Sequence, residues 1–145
     1  MDIAEPCAPR TGGIGAVVVL DDDPALVSVL SKLLQTRLHL TVAGFTNGAA
    51  AMEWLSHNAA ELLIVDYLMP GPSGLEVVRW LRMQSGHGTT PVLMLTGMEG
   101  PSLSAAATRA GVNRLISKPI LAARLLDAVE LLVWPVSTTA AILPE

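Results

Sequence analysis

Two textures of hydrophobicity alternate along this chain. Short aliphatic runs at 16–20, 62–65 and 91–95 are separated by longer stretches in which apolar residues recur every three or four positions. The runs fit strands covered on both faces, and the intervening spacing fits helices that bury one stripe. The run from Ala16 ends at Asp21, Asp22 and Asp23 followed by Pro24. Asp23 suits a helix N-cap and Pro24 the first helical turn, so a helix carrying Leu26, Leu30, Leu33 and Leu34 is expected to start there. Residues 40–45 read as the next strand, and Asn47-Gly48 turns into a helix with Met52 and Leu55. Strand 62–65 ends at Asp66 and is followed by loop 68–74, then by a helix with Leu75, Val78, Leu81 and Arg82. Strand 91–95 ends at Thr96-Gly97, before an Ala-rich helix around 105–110. A short strand at 115–116 leads to Lys118-Pro119, and a last helix covers 121–133. Five strand–helix units at intervals of roughly 22 to 29 residues predict an α/β fold. Its sheet should be parallel, with right-handed crossovers.

Composition narrows the class. With 145 residues, 51% hydrophobic and 15% charged, the chain suits one domain with an aliphatic core. One cysteine, Cys7, precludes a disulfide framework. Nine Lys+Arg against 13 Asp+Glu leave a net charge of −4, which argues against a nucleic-acid partner. No apolar stretch reaches the roughly 18 residues of a membrane span. Asp2 and Glu5 stand where a secretion signal carries Lys or Arg. The expectation is a cytoplasmic domain that binds neither nucleic acid nor membrane.

In open α/β sheets, ligands bind beyond the carboxyl ends of the strands. The first strand delivers Asp21 and Asp22 there, the third Asp66, the fourth Thr96 and the fifth Lys118. The second delivers no charge, as expected of an edge strand beyond the first. Strand order 2-1-3-4-5 brings the other four ends together. Two carboxylates 4 Å apart repel by roughly 4 kcal/mol at an effective dielectric of 20, so such a cluster takes up a proton or a cation. Hard oxygen ligands without His or Cys favour Mg²⁺. Lys118 adds a point charge for a phosphoryl or carboxylate group, and Thr96 a hydroxyl. Together they make a phosphoryl-transfer site, with Asp66 able to form an acyl phosphate.

These residues resemble the receiver domains of two-component response regulators, in particular the single-domain, chemotaxis-regulator-like type. The resemblance rests on 19–24 (Val-Leu-Asp-Asp-Asp-Pro), Asp66 with 67–74, Leu95-Thr96-Gly97 and Ser117-Lys118-Pro119, and it covers 16–133. It implies a doubly wound (βα)5 flavodoxin-like three-layer sandwich. It also implies that Asp66 accepts phosphate from a histidine kinase or phosphotransfer protein. Mg²⁺ would be held by Asp22, Asp66 and the backbone carbonyl of Leu68, with Asp21 acting through a bound water. Lys118 and Thr96 would contact the phosphoryl oxygens, Gly97 would leave room for the phosphodonor, and Pro119 would follow a cis peptide bond.

Three departures from the family pattern stand out. Leu115 occupies the position of the switch aromatic. Leu68 and Met98 are apolar where polar side chains orient the attacking water, which predicts slow autodephosphorylation. Finally, only ten residues follow Trp134-Pro135, so the expected organisation is a flexible leader (1–15), a receiver domain (16–133) and a tail (134–145) without an output domain. The message would then pass through the face formed by the fourth helix, fifth strand and fifth helix, with Leu103, Ala106 and Leu115 on it and Arg124, Asp127 and Glu130 as a solvated stripe. That face would serve a downstream protein or a second copy, unless the apolar tail covers part of it. Competing functions are a pseudo-receiver that only binds proteins and a Mg²⁺-dependent aspartyl phosphatase of the haloacid-dehalogenase type. The latter needs an aspartate where Leu68 stands. His39, His57 and His87 read as surface or helix-end residues, Met69 as packing beside the site, and Trp80, Met83 and Met94 as core or helix-face residues.

Overall fold

The structure is a computed structural model that describes residues 15–98 and 100–135. The expected leader up to residue 14, with Cys7, and the tail from residue 136 lie outside the described residues. The elements alternate strictly: β1 (Ala16–Leu20), α1 (Pro24–Leu38), β2 (Val42–Phe45), α2 (Gly48–Leu55), β3 (Ala60–Asp66), α3 (Gly74–Arg82), β4 (Val92–Thr96), α4 (Pro101–Ala110), β5 (Arg114–Ser117) and α5 (Ala122–Val133). The strands form one parallel sheet in the order β2-β1-β3-β4-β5. The alternation and parallel sheet are those expected from the chain's periodicity, and the doubly wound (βα)5 arrangement is the one implied by the receiver resemblance.

Side chains alternate across a strand, so each buried run feeds two cores. Val17, Val19, Leu62, Ile64, Leu93 and Leu95 face α1 and α5, where Leu30, Leu34, Leu125 and Val129 meet them. Val18, Leu20, Leu63, Val65, Val92 and Met94 face α2, α3 and α4, meeting Leu55, Val78, Leu81 and Ala107. All of these strand residues are fully buried. At about 1.5–3 kcal/mol for each large aliphatic side chain buried, β1, β3 and β4 form the stable platform of the molecule. Edge strand β2 is only partly covered.

Helix starts follow their caps. Asp23 accepts from the Ala25 amide at 3.0 Å and Asn47 from the Ala50 amide at 2.8 Å. Ser73 and Glu76 form a reciprocal capping box. Helix α4 begins at Pro101, earlier than the Ala-rich stretch alone implied, because proline sits readily in a first helical turn. Strand β2 starts at Val42; Leu40 is buried before pairing begins. The peptide joining Lys118 and Pro119 is cis.

Two side-chain expectations need correction. His87, expected at the surface, is 4% exposed. The turn after α3 folds its ring inward, with Nε2 2.9 Å from the Leu55 carbonyl and Nδ1 3.0 Å from the Thr90 hydroxyl. Met83, expected in the core or on a helix face, is 77% exposed, because it falls at the C-cap of α3, beyond the buried stripe. Met94 is fully buried and Trp80 packs partly buried against the second core.

Gly74 matters most for positioning the site. Its amide donates to the Tyr67 carbonyl at 3.0 Å, and an added Cβ would collide with the Asp66 carbonyl oxygen. Gly74→Ala is expected to cost about 3 kcal/mol in urea unfolding, as overpacking against backbone does. Gly97→Ala, whose Cβ meets open space, should cost less than about 1 kcal/mol in the same assay.

Candidate functional site

The carboxyl edge of the sheet gathers the polar residues that end its strands. Asp66 is the last residue of β3, and Asp21 follows β1, its amide bonded to the Phe45 carbonyl. The Lys118 amide donates to the Thr96 carbonyl at 2.7 Å, which extends the β4–β5 ladder by one residue. Those backbone bonds aim Lys118 across the edge. Its Nζ lies 3.2 Å from Asp21 Oδ2 and 3.1 Å from Asp66 Oδ1. Carboxylate oxygens of Asp21, Asp22 and Asp66 all lie within 4.8 Å of one another. Asp21 is fully buried and Asp66 5% exposed, whereas Asp22 is open to solvent. Asp21 Oδ1 also accepts from the Asp23 amide at 2.9 Å, which ties the buried carboxylate to the start of α1.

Burial pushes the Asp66 carboxyl above its ordinary value; the Lys118 hydrogen bond opposes this, and repulsion from Asp21 and Asp22 reinforces it. For Lys118, burial alone would lower the ammonium. The hydrogen bonds and charges of Asp66 and Asp21 outweigh that and hold it above the ordinary lysine value. The ammonium is therefore fixed and charged, and the carboxylates crowd beside it. With all three carboxylates ionised against one ammonium, two negative charges stay uncompensated. Hard oxygen donors with that residual charge suit a divalent cation such as Mg²⁺.

Of the residues expected here, Asp21, Asp22, Asp66 and Lys118 come together. Thr96 lies at the same edge, 2% exposed, with its hydroxyl turned elsewhere. It donates to the Met98 carbonyl at 3.1 Å and accepts from the Met98 amide at 2.9 Å. Leu68 is 61% exposed, two residues beyond Asp66. Sequence reasoning missed the bonding of Thr96 to Met98. A hydroxyl two residues before a turn amide is its one sequence signal, and that pattern is common.

The family model for the response regulator receiver domain matches residues 17–130. The sensory/regulatory protein RpfC of Xanthomonas campestris is 34% identical over 114 residues, covering 77% of this chain but 15% of that protein. The chain thus spans a small part of the length of the first curated relatives it matches. A chemotaxis protein CheY homolog of Campylobacter jejuni is 31% identical over 104 residues, covering 71% of this chain and 80% of that protein. Among solved structures, chemotaxis protein CheY4 of Vibrio cholerae superposes with a TM-score of 0.78 at 27% identity, covering 82% of this chain and 98% of that one.

The raised carboxyl of Asp66 has a signed consequence for stability. A native state that holds this proton more tightly than the unfolded chain is favoured below the ordinary carboxylate range, and that advantage is lost as pH rises through the elevated pKa. At neutral pH the ionised Asp66 is a net cost to the fold. Asp66→Asn is expected to raise stability at pH 7 by on the order of 1 kcal/mol, with the gain shrinking in acid. Urea titrations of both proteins at pH 7 and pH 4 check it.

Proposed function

The chain belongs to the family of response regulator receiver domains, and from that membership we propose that Asp66 is the phosphoacceptor of a two-component phosphorelay. Receivers are regulatory modules of two-component signalling. The observation that carries the finer reading is Lys118 Nζ bonded to both Asp21 and Asp66 inside a cluster of three carboxylates. A carboxylate so placed is a nucleophile whose product, an acyl phosphate, has a fixed cation waiting for its new charge.

A histidine kinase or phosphotransfer protein supplies the phosphoryl group. Asp66 Oδ attacks phosphorus, a P–O bond forms, and the P–N bond to the donor imidazole breaks. Lys118 holds a phosphoryl oxygen and Thr96 turns its hydroxyl to another. Asp22, Asp66 and the Leu68 carbonyl would hold Mg²⁺, with Asp21 acting through a bound water, and the ion would supply positive charge against the phosphoryl oxygens. The chain assists its own phosphorylation and dephosphorylation without turning over a separate substrate. Output runs through the α4–β5–α5 face to a downstream protein or a second copy. On that face Leu103 and Leu115 are half-buried, and Leu121 is 60% and Leu131 48% exposed, with Arg124, Asp127 and Glu130 charged beside them. Among the described residues no helix is long and apolar enough to cross a membrane. A cytoplasmic location and the division into leader, receiver and tail belong to the same proposal.

Incubation with acetyl phosphate and Mg²⁺, read by intact mass, tests the phosphoacceptor. One phosphoryl adduct is expected on the wild type and none on Asp66→Asn or in chelator. An unmodified wild type would instead favour a module that only binds proteins. The apolar flanks set the lifetime. Neither Leu68 nor Met98, 61% and 51% exposed, offers a side-chain hydrogen bond to an attacking water. A Leu68→Asn, Met98→Glu double variant should shorten the acyl-phosphate half-life by roughly threefold or more. An unchanged half-life would refute that account.

A further inference from the structure

The Thr96 hydroxyl has one proton, and in this structure the Met98 carbonyl holds it while the Met98 amide occupies its acceptor side. Thr96 is 2% exposed and both bonds are partly buried, so a hydroxyl that leaves them gives up two hydrogen bonds. Turning Thr96 toward Asp66 therefore frees the two backbone groups of Met98 at once.

Space for the turn to move lies alongside. A cavity of about 260 Å³ is lined by Thr96, Met98, Leu103, Ser104, Leu115 and Ser117. A second space, about 340 Å³, lies between Tyr67 and α4 and shares Met98 and Leu103 with the first. Met98 borders both, with its side chain 51% exposed. Leu115 lines the first, and an added Cβ at Gly97 would meet nothing within 4 Å. Methionine, unbranched and with three rotatable bonds, is the side chain best able to settle into an irregular space. Ser104 and Ser117 on the cavity wall place polar side chains near the backbone groups that would be released.

We propose that Met98 is the positioning residue and the relay of this switch: its backbone holds the Thr96 hydroxyl at rest, and on release its side chain enters the cavity beside Leu115. This rests on the reading of Asp66 as phosphoacceptor. Movement of a half-exposed thioether into a cavity on the α4–β5 side changes the apolar surface there without any aromatic ring. The coupling is mutual: whatever occupies Asp66 shifts Met98, and whatever seats Met98 favours occupancy at Asp66.

Two measurements test it. In the unphosphorylated protein, amide exchange at Met98 is followed by NMR in Thr96→Val and Thr96→Ser. Valine should accelerate it about five- to tenfold, the ratio for one lost hydrogen bond, and serine should leave it within about twofold of wild type. Unchanged exchange in Thr96→Val would overturn the resting half of the proposal. The second uses methyl-labelled Met and Leu with beryllofluoride and Mg²⁺, counting bound fluoride by its own resonance. The Met98 to Leu115 methyl cross-peak should strengthen by roughly threefold or more as fluoride binds. With fluoride bound and the cross-peak unchanged, the relay is wrong and the phosphoacceptor reading stands. If no fluoride binds, the phosphoacceptor reading fails and the relay fails with it.

Discussion

Everything at the carboxyl edge of this sheet depends on one arrangement: a single ammonium set between two carboxylates, with a third at the rim. Lys118 reaches Asp21 and Asp66 because its amide bonds the Thr96 carbonyl, one residue past the Thr96–Ser117 pair, and the two acids sit where β1 and β3 end. The parallel sheet makes this possible, since all its strands point their last residues the same way. Its cost is electrostatic. Repulsion among the acids and burial raise the Asp66 carboxyl, and the same acids hold Lys118 charged. The site stores unfavourable negative charge at the place where a divalent cation would relieve it.

The opposite edge of the sheet is built on the contrary principle. His87 is buried with both ring nitrogens matched. Its Nε2 faces the Leu55 carbonyl and donates to it, and its Nδ1 shares a hydrogen bond with the Thr90 hydroxyl. Arg82 donates to the carbonyls of His87 and Gly111 and to Asn113 Oδ1, at 3.0, 2.7 and 3.3 Å. Asn113 Oδ1 in turn accepts from the Val92 amide at 2.8 Å. Gly111, at φ +107°, leaves the space that the Arg82 side chain fills. These bonds join the C-terminal ends of α2, α3 and α4 to the start of β4. Polar groups that are buried and satisfied resist rearrangement, because each displaced partner leaves an orphan.

How far the chain could be read without its structure follows the same division. Acids and Lys118 at strand ends were legible because apolar runs locate those ends and topology places them on one edge. The two-sided burial of β1, β3 and β4 was legible from unbroken aliphatic runs. Local signals went partly unused: Ser73 with Glu76 three residues on spells the capping box that starts α3, and only the turn around it was recognised. His87 was out of reach, because its partners, the Leu55 carbonyl 32 residues away and Thr90, are known only once α2 packs beside the turn after α3. Asn113 and Arg82, 31 residues apart, hide for the same reason. The place of Thr96 at a strand end was legible but its bonding was not, since its partner is backbone and backbone carries no sequence label.

Put together, the two edges explain why change should be confined to one of them. At the closed edge buried His87 and Thr90 have their hydrogen bonds, and moving α3 or α4 there would also break those of half-buried Arg82. At the open edge, moving Thr96 releases one reciprocal pair of bonds with Met98, and a cation held among the carboxylates would offset their repulsion. A net hydrogen bond is worth about 1 kcal/mol, whereas ion contacts in a partly buried site reach several. The balance therefore favours a pivot, with the bottoms of α3 and α4 anchored and the turn before α4 free to respond. The asymmetry lies not in where the buried polar groups sit but in how they are matched: His87 and Thr90 are paired at one edge, while Asp21 and Asp66 share one ammonium at the other.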